Sequence, residues 1–448
     1  MKKVLKWIAI AVLLLVVLPV AVVIAINLFD DKIDPQAAAL GEPRASAIPE
    51  TENGYFAVLA IGAPDGADAA AYARAWIAEA RAAAKENRAE KRDDVKRAKR
   101  PDMCDAIQKP CLAAVQEAAA DWTGKIDAYQ EDLARYEKLI SSRAYEEILD
   151  YPFRLDAHLP NYAPVMAAQR AYLVRAALSV QAGKIEEALS SVERDIAFQR
   201  LMLGSSRTLI GKMVTVASYT RDLAFLADLL QSRAAELKPH TARLAEMLKP
   251  IAPGALRMDA ALESEFGFVK HGLHNPSATG FMGGGGSPME SAALHLFYKP
   301  NATLNQYYAS HTQIMASLRD PPAVLAAEKD KTAPGFGEWK ILHFIDNPVG
   351  RILLQVGAPT FRPYALRLHD LDAYNRLVGL GVEIIAADAG LDGAGEIVAK
   401  SDARFHDPYT GKPMAWDAGT RQLSFKANEG LVSRKPFNMD KGRLYLRL

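Results

Sequence analysis

The chain has 448 residues, 50% of them hydrophobic and 24% charged, and its 54 Lys and Arg nearly balance 53 Asp and Glu. That composition is globular rather than disordered, and a net charge of +1 excludes bulk attraction to nucleic acid or acidic polymers. The two cysteines, in an exported protein, suggest one disulfide rather than a metal centre.

Lys2, Lys3 and Lys6 precede an apolar run over residues 8–29, broken only by Pro19 and Asn27. As a helix such a run spans about 33 Å, enough to cross a bilayer core. The basic cluster before it and Asp30–Asp31 after it predict a single-pass inner-membrane protein, with a cytoplasmic N-terminus and a periplasmic body. A cleaved signal peptide is the rival reading. It would have an apolar region of about 7–15 residues with a small-residue site directly behind it. Here the run is longer, and the next Ala-rich stretch, Ala37 to Ala39, lies well past it. Residues 1–32 are therefore read as an uncleaved anchor, partnered by the lipid bilayer through residues 8–29.

Residues 33–50 carry three prolines and little periodicity, which predicts a tether. Residues 51–160 open with the apolar run 54–62, a strand or an extended segment, and continue as an antiparallel hairpin of helices over 67–100 and 112–149. The second helix shows an apolar seam at Val115, Ala119, Trp122, Ile126, Tyr129, Leu133, Tyr136 and Ile140, the heptad spacing of a helix zipped along a partner. Cys104 and Cys111 lie in the turn between them, which also holds Pro101 and Pro110. On one helix, positions seven apart are separated by about 10.5 Å, too far for a disulfide, so a bond between them requires the chain to fold back. Free or intermolecular thiols are the alternative.

Residues 161–390 read as a helical body, with helices near 163–182, 184–203, 205–232, 240–249, 254–271, 301–318, 321–329 and 363–387. Its turn at Gly183 resembles that of a tetratricopeptide hairpin, although only one unit is visible. A Gly-rich loop spans 272–290. Residues 391–448 form a small β element: a hairpin about 417–421 and a third strand over 443–448. The fold class is mainly α.

The segment Asp407-Pro-Tyr-Thr-Gly-Lys-Pro413, with Trp416–Asp417, resembles an ending found in many uncharacterised bacterial envelope proteins. With Asn301 to Asn305 and the helical middle, the chain resembles a proteobacterial membrane-anchored family. That resemblance implies an envelope location and no particular activity. In this segment Pro408 fits the second position of a β-turn, and Gly411 supplies a positive φ.

No nucleophile elbow, His-Glu-x-x-His or phosphate loop is present, and no catalytic, cofactor or metal residue is assigned. The nearest to a metal set is Glu263, Glu265, His271 and His274, with solvated histidines beside a charged helix face as the plainer reading. His369, Asp370 and Asp372 are a weaker acid–base candidate. Residues 85–100 hold eight basic and four acidic side chains, either a solvated helix end or a contact for lipid headgroups or an acidic partner. Trp122, Ile126 and Tyr129 face a stretch poor in apolar residues, so with Lys96 and Arg97 they form a candidate interaction surface, covered by the body or by another envelope protein. The predicted function is a non-catalytic, membrane-tethered periplasmic assembly, scaffold or interaction factor. The alternative is an exported hydrolase or metal-dependent enzyme using residues 263–290.

Overall fold

The apolar run forms helix α1 (Val4–Asn27), 24 residues of mean hydropathy 3.3, long and apolar enough to cross a membrane. Residues Leu13–Val17 take π geometry just ahead of Pro19, whose ring removes one helical donor. A computed structural model describes residues 2–92, 95–152, 157–274, 294, 296–327, 345–356, 360–387, 390–428 and 436–448.

Residues 33–50 are packed against the body rather than hanging as a tether. Asp34 caps the short helix α2 (Pro35–Ala39), whose Ala37 is fully buried. Farther along, Arg44 bridges to Leu149 and Asn53 to Ala144. The run after it is helical, α3 (Gly54–Ile61), because the Asn53 carboxamide caps it by accepting from Tyr55 N–H.

The predicted long hairpin is absent. Helix α4 (Ala69–Glu86) starts at the Asp68 cap and stops at Asn87, which adopts a left-handed φ of 49°. The basic stretch then finds carboxylates that a straight helix would not reach. Arg88 pairs with Glu79 and Glu86, and Arg97 and Arg100 converge on Asp132 and Asp65. The second arm is three helices, α5 (Cys111–Glu117), α6 (Ala119–Asp127) and α7 (Gln130–Ile140), broken at Ala118 and Tyr129. Its seam is real, with Val115, Trp122, Ile126, Tyr129, Leu133 and Tyr136 all buried. The partner is α8 (Ala163–Gln181), not α4, which packs on α3. The Cys104–Cys111 disulfide forms as expected, with a Cα–Cα distance of 5.8 Å. It sits inside the body rather than at a tip, since Asp228 accepts from Leu112 N–H and Ile107 O accepts from Phe437 N–H.

Helices α8, α9 (Ile185–Ser205), α10 (Leu209–Leu237) and α16 (Arg362–Ala386) pack in that order as the central bundle, with α11 (Thr241–Met247) against α16. The sheet closes one side of α16. Strands β1 (Ala415–Asp417), β2 (Gln422–Lys426), β3 (Met439–Asp440) and β4 (Arg443–Arg447) pair antiparallel in the order β1-β2-β4-β3. The turn at Asp407–Lys412 forms with Gly411 at φ +66°, and Tyr409 hydroxyl donates to Asp370 on α16.

A second, smaller core lies at the C-terminal end of α1. Ala37, Phe266, Leu273, Leu304, Tyr307, Leu353 and Leu354 bring together α2, α12 (Asp259–His274), α13 (Pro300–Ser317) and α15 (Pro348–Val356). The end of α1 is locked into it. Asn27 donates to Ile345 O and accepts from Asn347 N–H, each at 2.7 Å. Asp30 accepts from the backbone N–H of Asn301 and Ala302, where a carboxylate complements the start of α13. Asn305 bridges Lys32 O and Asp34 N–H. The remaining pieces are α14 (Pro322–Ala327), which packs on α16, and α17 (Ala394–Ala399), which packs on α16 and β1.

Candidate functional site

Between α12, the start of α10 and the chain that leaves α1 lies a cleft of about 790 Å³. Helix α12 presents Glu263, Gly267, Lys270 and His274 to it, the three- and four-residue spacing of one helix face. Ser264 and His271 lie along the same face. The facing wall is set by Glu147, which is fully buried and accepts from Arg207 N–H and Thr208 N–H, each at 2.6 Å, and from Thr208 Oγ1. Burial pushes the Glu147 carboxyl up, and these donors work against that shift. Thr208 in turn caps α10, so Leu209, Ile210 and Met213 enter the cleft from its first turn.

The third wall is residues 33–44, held over α12 by a crossing of two glycines. A Cβ on Gly41 would lie 2.5 Å from Gly267 N, and one on Gly267 would lie 2.4 Å from Gly41 O. Gly41 also takes φ +68°, so no other residue fits both the approach and the backbone. Lys270 fastens the crossing, its Nζ donating to Ala38 O and Leu40 O at 2.8 Å and pairing with Glu42.

The cleft is apolar at depth and charged at its rim. Leu149, Tyr151, Leu159, Leu209, Ile210 and Met213 form the apolar part, and Leu159 and Ile210 remain 44% and 36% exposed there. Around the rim, Arg207 pairs with Glu146 at 3.3 Å, while Arg44 meets Glu263 only at 3.9 Å. Glu265 turns towards α10, where it accepts from Leu209 N–H, and burial raises its pKa. An apolar pocket of this size with few polar groups is the usual shape of a small-molecule site.

All four residues of the candidate metal set line this cleft, but they do not converge. Glu263 faces Arg44, Glu265 faces α10, and His274 Nδ1 lies 3.0 Å from Lys270 O. Among the described residues, no three His, Cys, Asp or Glu side chains are close enough to hold a metal ion. The Gly-rich loop lies outside the described residues from position 275 onward. His369, Asp370 and Asp372 separate: Asp370 accepts from Tyr409 hydroxyl, Asp372 pairs with Arg376 at 2.7 Å, and burial lowers His369 to about 4. Trp122, Ile126 and Tyr129 are core residues rather than an interaction surface. Trp122 Nε1 donates to Ala114 O and Tyr129 hydroxyl to Pro101 O, so even their polar atoms are satisfied internally. Arg97 is drawn to Asp132, and Lys96 remains exposed.

A further polar centre lies inside the bundle. Asp195 and Asp222 lie side by side in the bundle, held by Tyr136, Gln169 and Gln199. Burial and then the Asp195 charge push Asp222 well above the ordinary carboxyl range. Both residues are fully buried and neither lines the cleft, which makes this centre a structural one.

Comparisons with family models, curated proteins and solved structures found no match.

Proposed function

We propose that this is a single-pass protein of the bacterial inner membrane, its N-terminus cytoplasmic and its body periplasmic, acting as a non-catalytic binding and assembly factor. The observation that carries this reading is the cleft, one of whose walls is the chain immediately after α1. Ile33 lines it only six residues past Asn27, at most about 20 Å of extended chain. The basic residues before α1, the acidic pair after it and a disulfide in the body agree with this topology and an oxidising compartment. Binding is favoured over hydrolysis because the cleft offers apolar side chains and dispersed charges, with no hydrogen-bonded nucleophile and base among its described residues.

Two measurements test this reading. A reporter active only outside the cytoplasm, fused after Leu448, is expected to work, and the protein to stay in membranes after carbonate washing. A soluble mature form starting near residue 40 overturns the anchor. Stoichiometric metal in the purified protein overturns the non-catalytic reading in favour of the enzyme alternative.

A further inference from the structure

We propose that the cleft takes one acyl chain of a phospholipid from the bilayer that holds α1, and that its rim reads a zwitterionic headgroup of the phosphoethanolamine kind. This rests on the binding-factor reading and names its ligand.

Three observations converge. The first is position. Asn27, at the end of α1, is bonded to Asn347, whose side chain accepts from Lys299 N–H. The neighbouring Tyr298 hydroxyl donates to Leu273 O at the end of α12. The His271–His274 end of the cleft wall is therefore tied to the C-terminal end of α1. A chain entering from the membrane side meets no step through bulk water.

The second is the lining. Leu159 and Ile210 are large apolar side chains left partly exposed inside a concave surface, and Met213 adds an adaptable neighbour. Covering that surface with methylenes contributes about 0.8 kcal/mol per buried CH₂, whereas a compact polar ligand would leave it wet.

The third is charge. The rim is balanced rather than of one sign. Glu42 is committed to Lys270, and Arg207 is shared with Glu146. That leaves Arg44 and Glu263, whose nearest approach of 3.9 Å is too long for a hydrogen bond. Arg44 is two-thirds exposed and offers a planar fork to a phosphate, while Glu263 offers an acceptor to an ammonium. A loosely joined opposite pair accepts a head carrying both charges, whereas a purely anionic head would meet Glu263 without compensation.

The test uses the full-length protein in nanodiscs of equal phosphatidylethanolamine and phosphatidylglycerol with matched chains. It is then released into mild detergent, and retained lipid is counted by native mass spectrometry. The expected result is one phosphatidylethanolamine per chain above the annulus on α1. Met213→Trp, which narrows the cleft, is expected to lower that retention roughly tenfold, and Ile210→Asp to do the same by wetting its apolar lining. Glu263→Gln should erase the preference for phosphatidylethanolamine over phosphatidylglycerol while leaving the melting temperature unchanged. Equal retention in wild type and both cleft variants overturns the proposal, because the lipid is then only the annulus. An unmoved preference in Glu263→Gln overturns the headgroup assignment. A different apolar molecule recovered from the wild type, and lost in Met213→Trp, overturns the lipid while keeping the binding-factor reading. A cleft that neither lipids nor an envelope extract fills overturns both.

Discussion

The central bundle and the core at the end of α1 bury apolar surface on different scales. In the bundle, α8, α9, α10 and α16 bring four helices of 19 to 29 residues together through broad apolar faces around the buried Asp195–Asp222 centre. In the core at the end of α1, segments of 5 to 18 residues from 35–39, 259–274, 300–317 and 348–356 meet around seven buried side chains. Side chain–backbone bonds from Asn27, Asp30, Asn305 and Asn347 stitch those pieces together. A small core held by polar stitches opens at lower free energy than a large one held by burial, so the two regions are expected to unfold separately.

Three experiments press on that difference, beginning with the largest effect. Trp122→Ala removes a large buried side chain from the seam against α8, and should cost about 3–5 kcal/mol of global stability by denaturant melting. A loss below about 1 kcal/mol would return Trp122 to the surface and dissolve the contrast. Acid should act on both regions through different histidines. Burial lowers His369 on α16 and His311 in the Phe266–Tyr307–Phe361 aromatic group from 6.5 to about 4. A depressed histidine stays neutral in the fold while the unfolded chain takes up a proton. Its contribution is therefore fully present above pH 6.5 and lost as pH falls towards 4, by about 3 kcal/mol each. The raised Asp222 acts in the opposite sense, losing its contribution as pH rises, so the histidines are isolated by difference. His369→Gln should flatten the acid slope of the global melt, and His311→Phe the slope of amide exchange in α13. Identical effects of both variants on one transition would merge the two regions into a single unit. The smallest effect is expected from Gly41→Val, which forces backbone apart at the glycine crossing for about 1–3 kcal/mol. Amide exchange should quicken in α2 and α12 while the bundle's melting is unmoved; a lowered global melt would show the crossing to be shared.

The same contrast explains what the sequence discloses. Helix positions in the bundle follow from apolar spacing, and the predicted elements near 163–182, 184–203 and 363–387 appear as α8, α9 and α16. The heptad seam identifies which residues are buried but not against what, because spacing carries no address for the partner. Residues 85–100 mislead for a related reason. Their helix propensity is high, yet Asp65 and Asp132 lie more than 30 positions away and outweigh it. The cleft is invisible in the sequence, since its walls come from residues 33–44, 149–152, 159, 207–213 and 260–274. Asn301 and Asn305, which carry part of the family resemblance, receive the chain leaving α1.

The buried disulfide has a consequence in time. Its covering helix α10 begins 98 residues after Cys111, and Phe437, which bonds the loop from the other side, comes later still. Thiol exchange needs an accessible sulfur, and both cysteines end at 3% exposure or less. The bond therefore has a window that opens when Cys111 emerges and closes when α10 folds over it. After that, the finished protein ignores the surrounding thiol pool. Its oxidation state is a record of the compartment in which the chain folded rather than a gauge of later changes in thiol poise.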